Sequence, residues 1–206
     1  MTHGRRHHML KAMVFDAGGV LLNKDVATAA ALQRELGLTD EQMDDMHQRF
    51  LPLLGAGLID EARFWQKVSD AYGTRTVSVS ENVLGGDYAK NLVINQELYA
   101  YIDKLKTRSI RIAMLSDTIP PHVEAMREAG MYGPFDNLFF SCDIGLRKPD
   151  PAIYRYVLSK LELSAAEVGF TDDLETNVTA ARAQGMKAVQ FRDTQQFIAD
   201  TKEWFS

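Results

Sequence analysis

Five short apolar runs constrain this chain more than any other feature. They are "AMVFDA" (12–17), "IRIAML" (110–115), "LFFS" (138–141), "VGFT" (168–171) and "KAVQF" (187–191). Three of the intervals after residue 115 carry helix signals. "PPHVEAMREAG" opens on proline and closes on glycine. "PAIYRYVLSKL" has Asp150 as N-cap and Pro151 in its first turn, and "LETNVTAARAQG" stops at Gly185. Such alternation predicts an α/β fold: a Rossmann-like parallel sheet with helices on both faces.

The interval between the first and second runs is different. From Asp25 to about Leu105 every signal is helical. "DVATAAALQRELG" has apolar residues at helical spacing, and "TDEQ" at 39–42 matches a capping box of Thr39 and Gln42. "DEARFWQKVSDAYG" places Phe64, Trp65, Val68 and Tyr72 on one face, and two more helices are expected over 80–92 and 95–106. This stretch is too long for a simple crossover. It reads as an all-helical cap (24–105) inserted over the C-terminal edge of a core formed by 1–23 and 106–206, where ligands of such sheets bind. Phe64 and Trp65 suit either the interior of that cap or a substrate pocket.

Composition narrows the function. A net charge of −5 over 206 residues builds no cationic field for nucleic acid. The basic Arg5–His8 segment lies at the extreme N-terminus and reads as a flexible tail or expression remnant. Cys142 is the sole cysteine, which excludes an intrachain disulfide and suits a reducing cytoplasm. No apolar run nears the ~18 residues of a membrane span. A cytoplasmic protein acting on a small molecule, without a membrane or nucleic-acid partner, is expected; the oligomeric state is not legible.

Each core strand also delivers polar groups to one edge. The first run gives Asp16, the second Ser116 in "LSDT", the loop "LRKPDP" gives Lys148, and the fourth run ends in Asp172–Asp173. Two or three carboxylates can hold Mg²⁺ by oxygen, a lysine can neutralise phosphate, and a serine hydroxyl can donate to a phosphoryl oxygen. Each residue also has a plainer use. Ser116, Asp117 and Thr118 can form a turn, Lys148 can be a solvated surface lysine, and Asp172 or Asp173 can cap the following helix. His122 suits substrate contact or plain surface, and Cys142 reads as inert packing.

Taken in order, "FDAGGVL", "LSDT", "RKPDPAIY" and "FTDDLETNVTAARAQG" resemble the haloacid dehalogenase superfamily, and the intervening helices resemble its small helical cap. The resemblance implies Asp16 as a nucleophile that forms an aspartyl-phosphate. It implies the Gly18 carbonyl and Asp173 as Mg²⁺ ligands, with Asp172 as a second ligand or water holder. Ser116 and Lys148 bind and compensate the phosphoryl group. Asp117 and His122 are candidate substrate contacts, and Asn177 is a support for the metal shell or Lys148.

One position departs from the family's phosphatase pattern: Gly18 stands where an aspartate acts as general acid and base. The expected function is therefore a Mg²⁺-dependent phosphatase of a small phosphorylated metabolite, slow or selective for good leaving groups. The wording "SCDIGLRKPDPAIYRYVL" is similar to the α-D-glucose-1-phosphate phosphatase subgroup, which implies a sugar phosphate. Asn23, Asp25 and His122 are candidates to assist proton transfer. A non-catalytic phospholigand binder is the alternative. A 2-haloacid dehalogenase is a further one, disfavoured by the acidic pair in "TDD".

Overall fold

Side-chain alternation along the strands sorts the apolar residues onto two sheet faces, and each face recruits its own helices. The computed structural model describes residues 9–23 and 27–205, so Arg5–His8 and Asp25 lie outside the described residues. Strand β1 (Ala12–Phe15) leads into helices α1 (Ala27–Leu36), α2 (Asp40–Arg49), α3 (Leu51–Gly55), α4 (Glu61–Tyr72), α5 (Val83–Asn91) and α6 (Gln96–Lys106). The chain then continues through β2 (Arg111–Ser116), α7 (Pro120–Glu128), β3 (Asn137–Phe140), α8 (Ser141–Ile144) and α9 (Pro151–Leu161). It ends with β4 (Val168–Asp172), α10 (Glu175–Ala183), β5 (Lys187–Gln190) and α11 (Thr194–Thr201).

The five strands form one parallel sheet in the order β3-β2-β1-β4-β5. Met13 and Phe15 point to the face covered by Leu98, Ile102, Met126 and Phe197. Ala12 and Val14 point to the face covered by Ile153, Tyr154, Val157 and Val178. Because β1 has β2 on one side and β4 on the other, the loops leaving these three strands meet at one edge, where the strand order reverses. Among the described residues no helix is long and apolar enough to cross a membrane.

Helices α1 to α5 enclose a separate apolar cluster that includes Met46, Leu54, Phe64, Trp65, Val68 and Leu84. The expected capping box is present: Gln42 N–H donates to Thr39 and the Thr39 N–H donates to Gln42. Phe64 and Trp65 are buried inside this cluster, which settles their role as packing. Leu98, Ile102 and Leu105 of α6 pack on the sheet instead. On packing grounds α6 goes with the core, although the sequence placed it in the 24–105 segment. The chain enters and leaves the cap through a paired stalk, in which Asn23 N–H donates to Val93 and Asn95 N–H to Leu21.

Several local features differ from the expectation. The third strand stops at Phe140, and Ser141 begins the short α8. Ser141 is fully buried; its hydroxyl donates to the Gly55 carbonyl of α3 (2.5 Å) and accepts from Thr118 N–H (2.9 Å). One hydroxyl thus ties the cap to the loop after β2. Ser141→Ala leaves both backbone groups buried and unpaired, a cost of about 1–3 kcal/mol. Urea unfolding should show a lower midpoint at unchanged slope; an unmoved midpoint would mean that the tie contributes nothing.

Candidate active site

Parallel pairing delivers the polar residues to one place. Asp16 directly follows β1, and its N–H donates to Thr171 of β4 (3.0 Å), so the backbones of the two strand ends are joined beside the site. The turn after Asp16 is tight: Gly19 has φ 80° and its N–H donates to Leu22 (2.7 Å), a conformation that favours glycine. Ser116 ends β2 and Asp172 ends β4.

Lys148 reaches in from the loop before α9. Its side chain is only 2% exposed, and its Nζ lies 2.5 Å from Asp16 Oδ1 and 2.6 Å from Asp172 Oδ2. It also donates to the Leu115 carbonyl at 3.3 Å. Burial alone would lower the Lys148 pKa, but the Asp16 and Asp172 carboxylates outweigh it and hold the ammonium charged well above the ordinary lysine range. The solvated-lysine alternative is thereby excluded. The backbone is pinned as well, since Lys148 N–H donates to Asp117 Oδ1 at 3.1 Å. Asp117 itself is pushed up by burial, opposed by Lys148.

Asp172 is fully buried and richly bonded. It accepts from Lys148, from Leu174 N–H (2.9 Å) and from Asn177 Nδ2 at 3.0 Å to both oxygens. The helix-capping alternative is met in part: Leu174 is the N-cap of α10, and the Asp172 carboxylate receives that residue's N–H. Asn177 holds Asp172 from one turn into α10 and is itself anchored by Tyr154, whose hydroxyl donates to the Asn177 carbonyl (2.9 Å). Asp173 is half-buried and lines the cavity above.

Asp16, Asp172 and Asp173 each offer an oxygen within 4.8 Å of the others. Lys148 touches two of these three carboxylates, Asp16 and Asp172. Burial, opposed by Lys148 and reinforced by Asp172, pushes the Asp16 carboxyl up to about 7. An all-oxygen set of three carboxylates fits a hard divalent cation such as Mg²⁺.

Above these groups lies a cavity of about 610 Å³. Asp16, Gly18, Ser116, Asp117, His122, Lys148, Asp172, Asp173 and Asn177 all line it, so the sequence-derived candidates converge on one space. Asn23 lines it too. Residues not singled out from sequence also contribute, among them Arg147, Tyr88, Leu32, Leu51 and Leu84. His122 lies flat on Tyr88, with ring centroids 3.8 Å apart and planes at 7°. Only Arg147, adjacent to Lys148, had a signal that could have flagged it; the cap residues follow ordinary helical periodicity. Cys142 does not line this cavity, and burial with Asp143 alongside pushes its thiol up to about 11, so it is not a nucleophile at neutral pH.

Comparison with known proteins gives the chain's family. The chain is 28% identical over 188 residues to a sesquiterpene phosphatase of Aspergillus oryzae, covering 89% of this chain and 91% of the relative. It is 28% identical over 187 residues to a drimenol cyclase of Aspergillus calidoustus, covering 89% of this chain but only 34% of that longer protein. Among solved structures, a HAD family enzyme of Bacteroides thetaiotaomicron in complex with magnesium and inorganic phosphate superposes with TM-score 0.77 at 22% identity, covering 91% of this chain and 98% of the other. Residues 10–185 match the family model of the haloacid dehalogenase-like hydrolases, and the chain belongs to that family.

Proposed function

We propose that the protein is a Mg²⁺-dependent phosphatase that acts on a small phosphorylated metabolite through an aspartyl-phosphate on Asp16. The observation that carries this reading is the meeting of Asp16, Asp172, Asp173 and Lys148 at the floor of a cavity large enough for a small metabolite. The full-length likeness to a fungal phosphatase supports it.

In this reading an Asp16 oxygen bonds to phosphorus as the ester P–O bond breaks. Lys148 holds Asp16 in place and offsets charge that builds on the phosphoryl oxygens, and the Ser116 hydroxyl donates to one of them. Asp16, Asp173 and the Gly18 carbonyl, with Asp172 behind them, would hold Mg²⁺, which supplies further positive charge to the phosphoryl group. Asn177 positions Asp172 and so acts through it. Water then attacks phosphorus, releases inorganic phosphate and restores Asp16.

Gly18 has no proton to give the departing oxygen, which takes it from water or from a lining group, with Asn23 and His122 the candidates within the described residues. General acid–base groups are typically worth about 10²–10⁴-fold in rate. Oxygens that leave readily as anions need least help, so aryl, acyl and anomeric sugar phosphates are the favoured esters. Gly18 is also the one observation that favours a second reading, a phospholigand binder without turnover.

Phosphate release from an aryl phosphate and a sugar 1-phosphate separates the two readings. Release should require Mg²⁺, stop with EDTA, return on adding Mg²⁺, and fall at least 10²-fold in Asp16→Asn. Equal release by Asp16→Asn would sink the phosphatase, and binding of phosphate without release would establish the binder.

Position 18 allows a sharper measurement. A Cβ built on Gly18 meets nothing within 4 Å among the described residues, so the first side-chain atom of Gly18→Asp displaces no neighbour. Turnover of alkyl phosphates should rise by one to two orders of magnitude or more, and that of aryl phosphates by much less. Equal gains for both classes would refute the leaving-group argument.

A further inference from the structure

The cavity has two chemically different halves. Its floor is charged, as described above. Its cap side is hydrocarbon: Leu32, Leu51 and Leu84 come from three cap helices, and Ile119 closes the same wall from the core. Leu174, directly after Asp172–Asp173, is 50% exposed and lines the opening, an apolar side chain at the rim of a charged site. The flat Tyr88–His122 stack adds an aromatic surface.

Polar functions on the cap side are few. Among the described residues the cap contributes no Asp, Glu, Lys or Arg to the lining. Its described polar lining residues are Thr28, His47 and Tyr88, and His47 already engages the Met43 carbonyl through Nδ1 at 2.7 Å. A polyol enclosed here would bury hydroxyls against Leu and Ile side chains, which is penalised unless each finds a partner. A hydrocarbon would displace water from apolar surface instead.

We propose that the substrate is an amphiphile, a phosphate monoester whose organic body is an apolar alkyl, prenyl or aryl group seated under the cap. The assignment rests on the phosphatase reading for the place of the phosphoryl group, at Ser116 and Lys148, and replaces a sugar with a hydrocarbon as the leaving alcohol. It concerns affinity, whereas the leaving-group argument concerns rate. An aryl phosphate satisfies both.

Linear alkylphosphonates, which are not hydrolysed, isolate the affinity. Calorimetric titration of the full chain with Mg²⁺ and the series from ethyl- to octylphosphonate should show Kd falling about threefold to fourfold per buried methylene until the cavity is filled. Leu51→Gln, on a half-buried wall residue, should flatten that slope. Affinity that is flat or undetectable across the series, or tighter binding of a hydroxylated phosphonate than of its alkyl counterpart, overturns the assignment. Phosphate release from octyl phosphate and 1-naphthyl phosphate is read in parallel. A steep binding series without any Mg²⁺-dependent release removes the phosphatase reading alone, and flat binding with such release removes the hydrocarbon assignment alone.

Discussion

The rest of the site depends on one buried ammonium. Lys148 sits between two carboxylates from neighbouring strand ends, and its side chain is almost wholly withdrawn from water. Burying such charges costs several kcal/mol per ion, and the cost is offset only where geometry is good and the remaining oxygens are satisfied. Both conditions hold. The two contacts are 2.5 and 2.6 Å, and Asp172 takes three further hydrogen bonds from Asn177 and the start of α10. The sheet order makes this possible, because only a strand adjacent to β1 can bring a carboxylate within reach of the ammonium that touches Asp16. Fold and site are therefore satisfied by one arrangement, and removing Lys148 would leave the Asp16 and Asp172 carboxylates without the cation that both contact.

The same arrangement explains why a cation belongs there. Three carboxylate oxygens meet there, and burial holds the Asp16 carboxyl up in spite of the Lys148 ammonium beside it. A divalent cation opposes that rise and in doing so makes Asp16 an available anion. Lys148 alone cannot, since it is shared between Asp16 and Asp172.

What could be read from sequence divides along a physical line. Strands and strand-end residues were legible, because a buried parallel strand must be a short apolar run and its end must be polar if it faces a cleft. The Thr39 and Asp150 caps were legible because capping is local. Features set by long-range packing were not. Ser141 looks like the tail of a strand, yet its hydroxyl joins segments 86 residues apart in sequence. Helix α6 has the periodicity of its cap neighbours, and only the sheet face it meets assigns it elsewhere. The ordering within the acidic pair was equally hidden. Asp172 and Asp173 are adjacent and identical in type, but strand alternation buries the first against Lys148 and turns the second to the cavity. The inner walls of the cap escaped for a related reason, since Leu32 and Leu84 serve its hydrophobic core and the cavity surface at once.

That double use bears on how specificity and chemistry are divided here. The charged floor comes from the ends of β1, β2 and β4 and from the loop before α9, whereas the hydrocarbon wall comes largely from α1, α3 and α5. The cap has its own apolar cluster and is joined to the core by the Leu21–Asn23 stalk, the Ser141 tie, the packing of α5 on α7 and the Tyr88–His122 stack, none of which runs through the Lys148 cluster. A change on the wall can thus alter which alcohol is held without disturbing the Lys148 cluster. Gly18 stands at the boundary: its backbone belongs to the floor, and the open space where a side chain would project belongs to the cavity.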